Sequence, residues 1–179
     1  MNLVTGATGH LGNVLIRTLL EKGEKVRAFV LPQDNLTPLE GLDVEIAHGN
    51  VLEPESIAPA LKDVDVAYHL AAMISIMPGK NEMVQRVNVE GTRNMLAAAQ
   101  KARLRRFVYT SSIHAIQRAP HGTTIDESLP YDPHNPYGAY DTSKAQASLL
   151  VQEAAKNELD AVLVCPTGVI GPYDFRVSL

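Results

Sequence analysis

Apolar residues fall in short, nearly unbroken runs, separated by longer segments of helical period. Residues 2–5 read as a strand, and 10–21 as a helix that follows a turn containing glycine. A second strand over 25–31 is stopped by Pro32, and a third covers 43–47. Residues 54–61 predict a short helix, with Pro54 tolerated in its first turn. Strands over 64–70, 106–110 and 161–165 are separated by long helices over 81–102 and 137–157. Strands that are apolar throughout, rather than alternating, predict a parallel sheet with helices on both faces. Sheets of this kind bind ligands beyond the carboxyl ends of their strands, where the strand order reverses. Between 117 and 136 lie Pro120, Gly122, Pro130, Pro133 and Pro136, which predict a long loop of the kind that carries function. There is no internal repeat.

The length of 179 residues suits one domain, and 45% hydrophobic content supplies a sizeable core. Residues 166–179 read as the start of a connection to a further region. A net charge of −4, with scattered basic residues, gives no footing for nucleic acid or an anionic membrane as partner. A single cysteine, Cys165, excludes an internal disulfide and fits a reducing compartment. No apolar run reaches membrane-spanning length, and the N-terminus opens into a strand without a leader, so a cytoplasmic location is expected. The six histidines have no metal-ligand spacing, so no metal is expected.

Chemistry begins at Gly6-Ala7-Thr8-Gly9-His10-Leu11-Gly12, between the first strand and the first helix. Gly6 permits a tight turn, Gly9 a close approach of backbone to a pyrophosphate, and Gly12 close packing of the helix. The helix N-terminus then offers free N–H groups to phosphate. Downstream, Tyr140 and Lys144 are four residues apart and share one helix face. An ammonium beside a phenol favours the ionised phenol. Bringing a tyrosine from about 10 toward neutrality takes roughly 4 kcal/mol of differential stabilisation.

These segments together resemble the extended short-chain dehydrogenase/reductase family. Thr5 to Gly12 match its T-G-x-x-G-x-x-G turn, and His69-Leu70-Ala71-Ala72 resemble its H-x-A-A. Asn88-Val89-Glu90-Gly91-Thr92, Tyr109-Thr110-Ser111-Ser112 and Tyr140 to Lys144 resemble further motifs, in family order. Pro166-Thr167-Gly168-Val169-Ile170-Gly171-Pro172 is similar to the loop after strand six. Within the family the chain looks most like bacterial proteins similar to dihydroflavonol 4-reductase and 3β-hydroxysteroid dehydrogenase.

The resemblance implies a Rossmann-type α/β fold, a doubly wound parallel sheet of about six strands in the order 3-2-1-4-5-6. Residues 1–179 would form the dinucleotide-binding domain, with a small C-terminal substrate domain largely absent. It implies NAD(P)-dependent hydride transfer to or from a ketone or secondary alcohol. Tyr140 would be the proton donor or acceptor, Lys144 the ribose contact, and Ser112 the hydrogen-bond donor to the substrate oxygen. Cofactor contacts would come from Gly6, Ala7, Thr8, Gly9, His10, Leu11 and Gly12, from Leu31, and from Asn50 and Val51. Leu70, Ala71, Ala72, Asn88, Thr110, Tyr140, Lys144, Pro166, Thr167, Gly168 and Val169 would complete the set. Asn50 replaces the family's usual Asp. Val30 and Leu31 replace the residues that choose between NAD and NADP, so the choice stays open. The reductase-like resemblance favours NADP, and Asp34 argues for NAD. Related enzymes dimerise through their two long helices, which makes a homodimer an expectation. A sugar-nucleotide epimerase with tightly held NAD, and a non-catalytic nucleotide-sensing or scaffold protein, are the alternatives on the same fold.

Overall fold

The computed structural model describes residues 1–74, 81–157 and 159–175; the last four residues of the expected connection lie outside them. Six parallel strands form one sheet in the order β3-β2-β1-β4-β5-β6. They are β1 (Asn2–Thr5), β2 (Val26–Val30), β3 (Glu45–His48), β4 (Val66–His69), β5 (Arg106–Thr110) and β6 (Ala161–Val164). The helices are α1 (His10–Glu21), α2 (Pro54–Ala60), α3 (Asn81–Gln85), α4 (Gly91–Ala102) and α5 (Ala139–Lys156). The predicted strand order and helical cover are as observed.

Register places the chemistry. Thr5 pairs with His69, and His69 with Tyr109. The carboxyl ends of β1, β4 and β5 therefore open side by side, at the point where the order reverses between β1 and β4. Alternate residues sort the core by face. Leu3, Ala67, Phe107 and Tyr109 join Met95, Leu96 and Val151 under α4 and α5. Val4 and Ala28 pack with Ile16 and Leu19 of α1 on the other face. Complete burial of such side chains stabilises the fold by about 1.5–3 kcal/mol each. On the α1 face, Val162 and Val164 of β6 stay 40% and 48% exposed. Among the described residues, no helix is long and apolar enough to cross a membrane.

The expected helix over 81–102 is interrupted. Residues Arg86–Glu90 form a π-helical turn between α3 and α4. Sequence periodicity misses this because the dihedrals on either side stay helical. Turns of this kind concentrate at functional sites, and this one presents Asn88.

Candidate active site

The glycine turn behaves as its spacing requires. Gly6 has φ +67°, and a Cβ there would lie 2.9 Å from the Leu70–Ala71 backbone. A Cβ on Gly12 would sit 2.2 Å from Gly6 O, so the first turn of α1 closes directly on the loop. Gly9 is the N-cap, and no side chain caps the helix. The amides of the first turn are thus left for an anion. A Cβ-free cradle under an uncapped helix fits the pyrophosphate of a dinucleotide.

Beneath this turn runs a buried chain of hydrogen bonds. Thr5 Oγ1 accepts from the amides of Leu70 (3.1 Å) and Ala71 (3.0 Å). Its own proton therefore goes to His69 Nδ1, at 2.8 Å. His69 Nε2 then donates to Thr92 Oγ1 at 3.1 Å, and Thr92 to Asn88 O at 2.7 Å. His69 is fully buried, and desolvation lowers its pKa to about 3, so the ring is neutral. Asn88 completes the link. Its Oδ1 accepts from Met73 N at 2.7 Å, and its Nδ2 donates to Met73 O and to Ser143 Oγ on α5. Sequence reasoning placed Asn88 among the cofactor contacts; its side chain is engaged with protein partners. Thr5 and Thr92 stand inside the quoted motifs without an assigned role, and Ser143 was missed, because sequence spacing does not show which hydroxyls meet.

The catalytic candidates converge at the end of β5. Ser112 is 5% exposed and caps a short 3₁₀ turn, Ile113–Ala115, by accepting from His114 N at 3.2 Å. Tyr140 opens α5, with its phenol raised by burial and partly offset by a hydrogen bond with Ser112; the Asp141 carboxylate adds to the rise. Lys144 is not among the groups that shift this phenol in the structure. Lys144 is 3% exposed, and its Nζ donates to Thr110 O at 2.7 Å and to Tyr109 Oη at 3.4 Å. Its charge is directed at the carbonyl ending β5, and burial lowers its pKa to about 8. Ser148 Oγ donates to Lys144 O, and Ser111 Oγ to Ser148 Oγ, fixing this turn of α5 to the strand.

His114 is an exposed neighbour of this cluster. Its ring stands edge-on to Tyr140 at 6.3 Å, and its Nδ1 lies 3.4 Å from Asp141 Oδ2. A cavity of about 250 Å³ opens there, walled by the apolar Ile113, Ile116 and Ile125, by Tyr137, and by the polar His114, Arg118, Asn135 and Asp141. The proline-rich loop forms its far side, folded back through Gln117 N to Pro130 O and Asp132 N to Ala115 O.

The remaining candidates are more dispersed. Thr8 Oγ1 donates to Asp34 Oδ2 at 3.4 Å, and Leu31 N donates to the same oxygen at 3.2 Å. Asn50 Oδ1 already accepts from Leu52 N at 3.0 Å, closing an Asx turn. Val51 is buried against Gly91, which makes it a packing residue of α4. Pro166 O accepts from Ile113 N at 3.0 Å, bringing the segment after β6 to Ser112, while Val169 is 43% exposed. The Cys165 thiol meets the Tyr131 hydroxyl at 3.4 Å. Among the described residues, no cluster of three or more His, Cys, Asp or Glu side chains could hold a metal ion.

The profile of the 3-beta hydroxysteroid dehydrogenase/isomerase family matches residues 3–178. The chain is 44% identical over 177 residues to sterol demethylase protein B of Methylococcus capsulatus, covering 99% of this chain and 54% of that protein. It is 37% identical to a 3 beta-hydroxysteroid dehydrogenase/Delta 5-->4-isomerase of Mycobacterium tuberculosis, covering 96% and 48%. A crystal structure of a short-chain dehydrogenase/reductase superfamily protein from Agrobacterium tumefaciens with bound NAD superposes with a TM-score of 0.78. It shares 30% identity and covers 92% of this chain and 48% of that one. The chain spans about half the length of the relatives it matches.

Proposed function

The chain belongs to the 3-beta hydroxysteroid dehydrogenase/isomerase family, and from that premise we propose that it is the dinucleotide-binding and proton-transfer half of an NAD(P)-dependent oxidoreductase acting on a ketone or secondary alcohol. The observation that carries the reading is the convergence of Ser112, Tyr140 and Lys144 at the end of β5, on the same carboxyl edge of the sheet as the uncapped N-terminus of α1 that follows β1. A nicotinamide dinucleotide would supply the hydride. Gly6 to Gly12 would hold its pyrophosphate, and Lys144 its nicotinamide ribose.

In the reducing direction Ser112 Oγ–H donates to the carbonyl oxygen and stabilises the charge that develops there. The Tyr140 phenol delivers the proton. Burial holds that phenol protonated, the form a proton donor needs. The Asp141 carboxylate next to it acts in the same direction. The apolar side of the cavity, Ile113, Ile116 and Ile125, favours an apolar body on the substrate, and His114, Arg118 and Asp141 in the same cavity favour a polar group beside it.

NAD is the better-supported cofactor. Asp34 sets a carboxylate on Thr8 and Leu31, at the end of β2, where a 2′-phosphate would meet like charge.

The test is oxidation of reduced NAD with apolar cyclic ketones as probes. Tyr140→Phe should abolish turnover and leave dinucleotide affinity within about twofold, since it removes the proton-donating hydroxyl and keeps the ring. Turnover that survives Tyr140→Phe would remove Tyr140 from its role.

A further inference from the structure

The segment after β6 runs from the catalytic end of the cleft to its phosphate end. It starts at Ser112, through Pro166 O and Ile113 N. It finishes on α1. Pro172 O accepts from His10 Nε2 at 2.9 Å, and Asp174 Oδ2 lies 3.9 Å from His10 Nδ1. Gly171 passes close enough that a Cβ would sit 3.5 Å from the His10 ring. The Arg17 guanidinium stacks on the Tyr173 ring, 4.1 Å from its centroid.

Two details mark this contact as built. Arg17 is aimed by Asn13, a fully buried residue of α1 whose Oδ1 accepts from Arg17 Nε at 2.9 Å while its Nδ2 donates to Pro38 O. Tyr173 has φ +65°, a left-handed conformation that a non-glycine residue keeps only when its surroundings enforce it. Between the anchors Ile170 is 99% exposed, so the middle of the segment is held by its two ends.

We propose that Arg17 and Tyr173 are positioning residues for the dinucleotide: their stacking pins residues 171–174 on α1, so that the segment straps the cleft and retains a ligand filling both ends. The inference rests on the dinucleotide-binding reading above. The physical basis is pre-organisation. Ordering a loose segment at the moment of binding opposes affinity, and a segment already fixed at both ends avoids most of that opposition. Neither residue needs to touch the ligand, and the effect falls mainly on dissociation.

The experiment titrates NAD and AMP into the unaltered chain and into Tyr173→Leu, Tyr173→Phe and Arg17→Gln. AMP supplies the adenosine and one phosphate but does not reach the catalytic end, so a strap held at both ends does not retain it. Tyr173→Leu and Arg17→Gln should weaken NAD about fivefold or more, with faster release, and leave AMP unchanged. Tyr173→Phe keeps the ring face and should retain full NAD affinity. Arg17→Gln removes the same stacking from the other partner, so the test holds even if the leucine variant fails to fold. Unchanged NAD affinity, or equal losses for NAD and AMP, overturns the strap alone. Absence of NAD binding by the unaltered chain overturns the dinucleotide reading, and the strap with it.

Discussion

Asn88 Nδ2 donates to Ser143 Oγ at 2.9 Å, tying the π-helical turn to the helix that carries Tyr140 and Lys144. The same amide grips both backbone groups of Met73. One side chain thus fixes the loop after β4 and the start of α5 relative to each other. Asn88→Ala removes three hydrogen bonds and leaves buried partners unsatisfied. It should destabilise the fold by about 3 kcal/mol, read as a lower urea midpoint with an unchanged slope.

Lys144 opposes stability where it serves function. Burial lowers its pKa from 10.5 to about 8, so the unfolded chain holds this proton more tightly than the folded one. The penalty is full below pH about 8 and fades as pH rises toward 10.5, amounting to about 3 kcal/mol at pH 7. The bond to Thr110 O offsets part of it. Lys144→Met should therefore gain about 1 kcal/mol at pH 7, lose that gain above pH about 10, and weaken NAD binding. Urea melts at the two pH values, with an NAD titration, check all three outcomes.

His69 sets an acid limb. Its folded pKa of about 3 lies below the ordinary 6.5, so its contribution is complete above pH about 6.5 and is lost as pH falls toward 3. The loss reaches about 3 kcal/mol by pH 4. His69→Gln should be less stable at pH 7 yet show a flatter slope between pH 6.5 and 4, seen in denaturant melts across that range.

Much of this was legible in the sequence because glycine and strand patterns report backbone geometry directly. The positive φ of Gly6 and the contact of Gly12 with Gly6 O are what the G-x-x-G-x-x-G spacing demands. The apolar runs likewise mark the strands along the chain, while their order in the sheet is what the family resemblance implies. The hydroxyl network was not legible. Thr5 and Thr92 belong to motifs whose spacing gives no sign of a shared network, and only register across β1 and β4 brings Thr5 and His69 together. The direction of Lys144 was also hidden. Spacing puts it on the face of Tyr140, whereas the free carbonyl at the end of β5 decides where the ammonium points. The π-turn at Arg86–Glu90 leaves no trace in periodicity, since one extra residue within a long helix shifts the pattern by less than its own scatter.

Asp34 should govern cofactor choice. Asp34→Asn removes the negative charge held by Thr8 and Leu31. It should narrow the preference for NAD over NADP by about tenfold, the size of a single screened charge contact, as read from paired affinities. A preference for NADP in the unaltered chain would contradict this assignment.

The central claim is that the crossing between β1 and β4 holds a nicotinamide dinucleotide beside Ser112, Tyr140 and Lys144. Calorimetric titration of the chain with NAD tests it most directly, run beside Gly12→Ala, whose Cβ would meet Gly6 O at 2.2 Å. The account predicts one saturable site per chain for NAD, with binding lost in a Gly12→Ala protein that still melts cooperatively. A chain that is folded yet shows no saturable heat with either NAD or NADP would contradict it.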